Sequence, residues 1–391
     1  MKILHISLGF YPAIDLGGPI KVVYEYSQEL LKRGHEVIIV CTNRLNKRKK
    51  ISSYSFTDYV DGVKVYYFNT HMVPGWQGVF GPSFSPDLWR NLNQIIKNVD
   101  IVHINGTRGE IFLVAAFLSR LIHKPYVVQP HGDLPLLGRS IWLKRIFDVV
   151  FQRRIIDGSS AMIALSRTEL QQCLTVGASI ENIYIIPNGM KIPNFAKIKM
   201  GQFRSNWGFN QKDKIILFLG RINWIKGVDI LVRSFSLMNN KAYLVIAGPD
   251  DGDLPVIKKL VRECNIQDRT LIIGHLDGNQ AIEAIRDTDV FALTSRKDAF
   301  PMAVVEAAAV GKPLVISNTC EIGEIFMERG GAIIVPITDE IKIAQELDRL
   351  ISNEELCNEL SEKAKSIALN RFSIEKSCDT LEKMYRQVII A

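Results

Sequence analysis

The 391-residue chain lacks any apolar run near the roughly 18–20 residues that cross a bilayer. Its longest obvious one, Ile111 to Leu118, is far too short, so an integral membrane protein is not expected. The opening stretch, Met1 to Leu8, has one basic residue and no small-residue cleavage site; it reads as a buried strand and not as a signal peptide. The six cysteines, Cys41, Cys173, Cys264, Cys320, Cys357 and Cys378, form no C-x-x-C pair. That spacing argues against a zinc site and a disulfide-stapled fold, and fits a reducing cytosol. No G-x-x-x-x-G-K-[ST] occurs and no G-x-G-x-x-G follows a strand, which removes two common phosphate loops. Short repeats and low-complexity tracts are also missing, and 47% hydrophobic with 23% charged residues leaves little room for disorder.

What is present is an alternation of short β-branched runs with helical stretches. The first half offers strands at Lys2–Ser7, Glu36–Cys41, Val63–Phe68, Asp100–Ile104, Pro125–Gln129, Ala161–Ala164 and Ile183–Ile186, with amphipathic segments at Pro19–Arg33 and Thr107–Ile122. The second half restarts with strands at Ile215–Leu219, Ala242–Ala247, Leu271–Ile273, Val290–Thr294, Pro313–Ile316 and Ala332–Val335. Helices intervene at Gly227–Leu237, Leu254–Cys264, Pro301–Val310 and Ile341–Ile351. Nearly continuous apolar strands between helices imply parallel sheets covered on both faces. Two such blocks predict an α/β protein of two doubly wound domains, over residues 1–190 and 213–372. A Pro-, Asn- and Lys-rich linker is expected at 191–212. The last helix, Ile374–Ile390 within 373–391, is not assigned by periodicity; a return to the first domain is one option. Open parallel sheets bind ligands at the carboxyl ends of their strands, so two facing sheets predict one interdomain cleft.

The charge is unevenly spread. Residues 1–190 hold 21 Lys and Arg against 14 Asp and Glu, which accounts for the whole formal excess of +7. Such a half suits an anionic partner. Its basic features are Arg44–Lys50, read as an exposed loop, and Ile141–Ile156, read as an amphipathic basic helix. Both suit an anionic membrane face, and equally a solvated charge run and a helix packed on its own sheet. No aromatic-interleaved nucleic-acid platform is evident.

Two stretches carry chemistry. In Phe218-Leu219-Gly220-Arg221-Ile222-Asn223-Trp224-Ile225-Lys226-Gly227 a strand ends, a loop carries two cations, and a helix begins. Fixed cations at such a turn suit a diphosphate, each charge-assisted bond contributing about 1.5–3 kcal/mol; a solvated basic loop is the bland reading. In Ser295 to Ala307, Pro301 is placed to open a helix whose free N–H groups, at Met302 and Ala303, form an anion site. Glu306 lies about one turn inside and can accept hydrogen bonds from a diol, with Asp298 in the loop before it. Asp251-Gly252-Asp253 has the letters of a metal motif but sits in a Gly/Pro turn.

The pair Gly220-Arg221…Lys226-Gly227 with an acid-x7-Glu stretch resembles the large retaining glycosyltransferase family 4, whose GT-B fold sets two Rossmann-like domains face to face. Gly17-Gly18-Pro19, Val102-His103-Ile104-Asn105-Gly106, Gln129-Pro130-His131-Gly132 and Ile186-Pro187-Asn188-Gly189 match its pattern in order, over nearly the whole chain. The resemblance implies a nucleotide-diphosphate sugar as donor, with Arg221 and Lys226 on the diphosphate and Glu306 on the ribose. Gly17 and Gly18 would let backbone approach the diphosphate, His131 would contact the transferred sugar, and Asp298 would hold its hydroxyls. It further implies retained anomeric configuration without a metal. Arg221, Lys226 and the Met302–Ala303 helix start would stabilise charge on the leaving phosphate. The expected acceptor is a polysaccharide or lipid-linked oligosaccharide, on the cytosolic side of a membrane. One departure stands out. The family stretch begins Glu-Gly-Phe-Pro, whereas this chain reads Asp298-Ala299-Phe300-Pro301, so the loop or the sugar contact must shift by ~1.5 Å. A nucleotide-sugar epimerase, a phosphorylase or a non-catalytic sugar-nucleotide binder are the rival readings. Neither the base, uridine or guanosine, nor the oligomeric state is legible.

Overall fold

Why the strands are parallel is visible in their burial. Ile215–Leu219 and Val290–Leu293 are apolar at every position and covered on both faces, which only flanking helices on each side achieve. The computed structural model describes residues 1–13, 18–45, 49–72, 83–136, 145–192 and 198–390. The chain divides into two units, Met1–Lys191 together with Ile374–Ala391, and Ile192–Ser373.

The first unit holds β1 (Lys2–Ile6), β2 (Glu36–Thr42), β3 (Phe56–Val60), β4 (Val63–Phe68), the short pair β5 (His71–Met72) and β6 (Ser83–Phe84), β7 (Ile101–Asn105), β8 (Tyr126–Gln129), β9 (Ala161–Ala164) and β10 (Ile183–Ile185). Its eight-stranded sheet runs β10-β9-β8-β7-β1-β2-β4-β3, all parallel except β3 against β4. Helices Gly18–Lys32, Pro86–Lys97 and Glu110–Leu121 flank it. Leu88, Leu92 and Ile96 of the second and Ile111, Phe112 and Ala115 of the third enter one core with Leu4, Ile6, Val102 and Ile104 of the sheet.

The helix Ile374–Ile390 belongs to this unit. Arg33 bonds Asp379 at 2.7 Å and Glu382 at 3.1 Å, and the Tyr385 hydroxyl lies 2.6 Å from Nδ1 of His103. Its socket is the segment Pro187-Asn188-Gly189. The Pro187 carbonyl accepts from Tyr26 and Ser377, and the Ile374 N–H donates to the Met190 carbonyl at 3.0 Å. A Cβ on Gly189 would sit 2.7 Å from the Ile374 Cα, so only glycine fits beneath the helix.

The second unit holds β11 (Ile215–Leu219), β12 (Tyr243–Ala247), β13 (Thr270–Ile273), β14 (Val290–Leu293), β15 (Leu314–Ser317) and β16 (Ile333–Val335). The sheet is wholly parallel in the order β13-β12-β11-β14-β15-β16. Counted from β11 this is the doubly wound order 3-2-1-4-5-6, whose strand direction of travel reverses between β11 and β14.

Several elements differ from expectation. The stretch read as a linker contains the helix Gln202–Trp207, which is part of the second unit. Phe203 and Arg204 are buried in it, and the Arg204 side chain bonds Asp289 at 3.0 Å. The helix Glu354–Arg371 is not among the expected elements: Leu360, Ala364, Ile367 and Ala368 are buried at helical spacing, but two of the four are alanine and the stripe is weakly apolar. Strand β3 is missed because its middle is exposed. Arg44, expected in an exposed loop, is 7% exposed and bridges to Lys50; residues 46–48 of that loop and 141–144 of the basic helix lie outside the described residues.

Candidate active site

The loop after β11 is strapped to the end of β14. Gly227 has φ 62°, and a Cβ there would fall 2.0 Å from the Thr294 carbonyl oxygen; the Thr294 hydroxyl in turn donates to the Gly227 carbonyl at 2.8 Å. The Arg296 N–H donates to the Ile225 carbonyl at 2.7 Å. Its guanidinium grips Asp229 through two bonds of 2.8 and 2.7 Å and lies 4.8 Å over the Trp224 ring. The two strand ends that frame the switch point are thereby locked together.

On this frame each expected cation has an acidic partner. Lys226 forms an ion pair with Asp298, with 19% and 14% of the two side chains exposed. Arg221 donates to Asp251 at 2.9 Å and is 42% exposed. Asn223 caps the turn, accepting from the Lys226 N–H at 3.1 Å and donating to Asp251 at 2.9 Å. Asp251, set aside in the sequence as a turn residue, is thus the group that holds Arg221. The signal was present in its position, just after β12 and beside the switch point.

Asp298 is held by its own backbone. The residue bridges in parallel to Cys320, and the Glu321 N–H donates to the Asp298 carbonyl at 2.9 Å. Burial first, and Asp298 second, push the Cys320 thiol up to about 12, so it stays protonated. Ala299 and Phe300 are buried, and Phe300 meets Phe372 edge-on at 5.3 Å. Ala299 is not among the residues with positive φ, so this loop takes alanine without the left-handed backbone that would demand glycine. Pro301 is the cap before the helix Met302–Val310 and not its first residue. Met302 and Ala303 therefore occupy the first two helical positions, where N–H groups have no carbonyl within the helix. Glu306 is buried on the same helix.

The remaining expected residues lie in the first unit. His131 follows β8 and has φ 55°, a left-handed conformation that non-glycine residues seldom take. The next N–H, of Gly132, donates to buried Glu169 at 2.5 Å, and the other oxygen of Glu169 accepts from Leu165 at 2.7 Å. Glu169 was not foreseen; it sits in the first turn of the helix Arg167–Thr175, far from any motif. Burial, then His5, push His131 down to about 3, so the imidazole is neutral. Gly18 opens the helix Gly18–Lys32, where among the described residues nothing lies within 4 Å of a Cβ, and Gly17 lies outside the described residues. Among the described residues no group of three or more His, Cys, Asp or Glu could hold a metal, and no helix is long and apolar enough to cross a membrane.

A doubly wound sheet with cations in the loops after its strands is an anion-binding arrangement, and comparison with known proteins gives the family. Residues 17–189 match the glycosyl transferase 4-like domain and residues 200–367 the glycosyl transferases group 1. The chain belongs to this family of glycosyltransferases, of the GT-B fold. It is 23% identical to the N-acetyl-alpha-D-glucosaminyl L-malate synthase of Bacillus anthracis, over 99% of this chain and 97% of the relative. It is also 23% identical to the D-inositol 3-phosphate glycosyltransferase of Xylanimonas cellulosilytica, over 95% and 92%. Among solved structures, Anabaena Alr3699/HepE in complex with UDP and glucose superposes with TM-score 0.76 at 17% identity, covering 99% of this chain and all of that one.

Proposed function

We propose that this glycosyltransferase moves a sugar, with retention of configuration, from a UDP- or GDP-sugar to a polysaccharide or lipid-linked oligosaccharide acceptor. The observation that carries the reading is the pair of cations, Arg221 and Lys226, each fixed by a carboxylate at the switch point of the second unit's sheet. As the bond from the anomeric carbon to the diphosphate breaks, negative charge grows on the leaving phosphate. Arg221, Lys226 and the N–H groups of Met302 and Ala303 stabilise that charge, and the chain's own cations leave no step that requires a metal. Glu306 holds the ribose, and Asp298 orients the sugar while sharing Lys226. His131 contacts the transferred sugar, and Gly17 and Gly18 give the diphosphate close backbone approach.

The same reading places the protein at the cytosolic face of an anionic membrane. Ile146, Val149 and Val150 are exposed at 58%, 78% and 41% beside exposed Arg145, Arg153 and Arg154, while Gln152, Ile155 and Ile156 turn inward. Arg120 donates to the Arg154 carbonyl at 3.2 Å, which joins this face to exposed Phe117 and Leu121. Mixed apolar and cationic surface of this kind suits acidic headgroups, each cation contributing about 1 kcal/mol.

Product analysis tests the function. Incubation with UDP- and GDP-sugars and a panel of lipid-linked and soluble glycans is expected to release nucleotide diphosphate only when an acceptor is present. Release that requires inorganic phosphate would make the protein a phosphorylase. Tight donor binding with no release under any acceptor would make it a binding protein.

A further inference from the structure

The first unit contains buried polar side chains for which the proposed reaction has no use. His5 and His103 are fully buried, directly paired across β1 and β7 with ring centroids 4.8 Å apart. Two residues past His103, Asn105 is 4% exposed, and its amide is surrounded on all sides. Its nitrogen lies 3.2 Å from the Ile6 carbonyl oxygen, 3.2 Å from the His103 carbonyl oxygen and 3.3 Å from Nδ1 of His5. Its oxygen lies 3.3 Å from Nε2 of His131.

These contacts determine where protons sit. A backbone carbonyl only accepts, so the Asn105 nitrogen must be the end that faces Ile6 and His103. Turning the amide over would set three oxygens against one another and lose both bonds. The Asn105 oxygen therefore faces His131, and it too only accepts. Nε2 of His131 must carry the ring proton, and a neutral imidazole then has none on Nδ1. The ring is neutral because burial holds it near 3. Nδ1 of His131 is buried and has no hydrogen-bond partner among the described residues, so the ring's acceptor is left open. The backbone is equally constrained, by the left-handed turn at His131 and by the bond from Gly132 to Glu169.

Resting on the glycosyl-transfer reading, we infer that Asn105 is a positioning residue: it holds His131 as the Nε2–H tautomer, so that Nδ1 accepts a hydrogen bond from a hydroxyl of the transferred sugar. His131 thus meets the sugar as an acceptor and not as a donor or a proton source. A sugar position bearing fluorine or a methyl ether in place of that hydroxyl cannot supply the proton, although either could receive one. Discrimination at that position follows from the tautomer.

Ring-nitrogen NMR on the full chain labelled with ¹⁵N-histidine reads the tautomer directly, with a His131→Gln spectrum to assign the signals. The expected spectrum shows a protonated Nε2 and a bare Nδ1 for His131. A protonated Nδ1, or a fast mixture of the two forms, overturns the inference. Asn105→Leu removes donor and acceptor together and is expected to yield a mixture; a tautomer unchanged in that variant would show that Asn105 does not set it. Should the variant fail to fold, the wild-type spectrum still decides. Addition of saturating UDP-glucose or GDP-mannose, whichever binds by calorimetry, is expected to move the Nδ1 signal. A bare Nδ1 that stays fixed while the donor binds elsewhere overturns the sugar contact. A chain that binds neither donor refutes the functional reading, leaving the tautomer standing on its own spectrum.

Discussion

Acidification should weaken the first unit well above the pH at which ordinary carboxylates titrate. His5 and His103 are 0% exposed, and burial pushes His5 down to about 3 and His103 well below its ordinary value of 6.5. Folded, both stay neutral across the physiological range; unfolded, both take up protons near 6.5. The unfolded chain therefore binds more protons as the pH falls from 6.5 towards 3, and stability is lost in that window. It is fully present above 6.5. Between pH 7.5 and 5.5 each histidine costs about 1.4 kcal/mol, and His131, likewise held near 3 by burial, adds a third share, so the three cost about 4 kcal/mol. For a unit of roughly 200 residues this lowers the thermal midpoint by about 8–16 °C. Glu110, raised by burial, works in the opposite sense. Calorimetry over this range, with amide exchange on β1 and β7 to assign the loss to the first unit, measures the effect. The double variant His5→Gln, His103→Gln should remove about two thirds of the drop, leaving the share of His131. A midpoint that moves by less than about 2 °C in the wild-type chain, or an unchanged drop in the double variant, would refute the reasoning.

Four further outcomes are expected. Lys226→Ala should cost transfer about 2–4 kcal/mol of transition-state stabilisation, read as kcat/KM, while circular dichroism stays unchanged; full turnover with every donor would remove its phosphate role. Gly227→Ala drives a Cβ into the Thr294 carbonyl and should destabilise the second unit by about 2–4 kcal/mol in denaturant titration. Excess chelator should leave transfer rates unaltered, and a loss restored by added divalent cation would show that a metal takes part. Val149→Asp should weaken co-sedimentation with phosphatidylglycerol vesicles, by roughly fivefold for the introduced charge and lost apolar contact, with no change on phosphatidylcholine.

Much of the fold was legible because parallel strands carry unbroken apolar runs: Ile215–Leu219 in particular was read with its observed ends. Helices were legible where an apolar face or run stands out, as at Gly18–Lys32 and Met302–Val310. Glu354–Arg371 buries only four residues, two of them alanine, so its helix-forming composition carries only a weak apolar stripe. At the site, cations and helix starts were legible because they lie immediately after strands. Their partners were not, since Asp251 and Glu169 reach Arg221 and Gly132 through contacts distant in sequence. The tautomer of His131 could not be read at all; it depends on where carbonyl oxygens of β1 and β7 fall around one amide.

The return of Ile374–Ile390 to the first unit has a consequence for biosynthesis. Met190 and Ile374 are hydrogen-bonded neighbours, so the whole of Ile192–Ser373 is an insertion into a unit that begins at the N-terminus. A ribosome adding about 5–20 residues per second spends roughly 10–40 s on that insertion. When that insertion is complete the first unit still lacks the helix that covers Tyr26 and His103, while the second has all its strands in hand. The domain translated first is thus completed last.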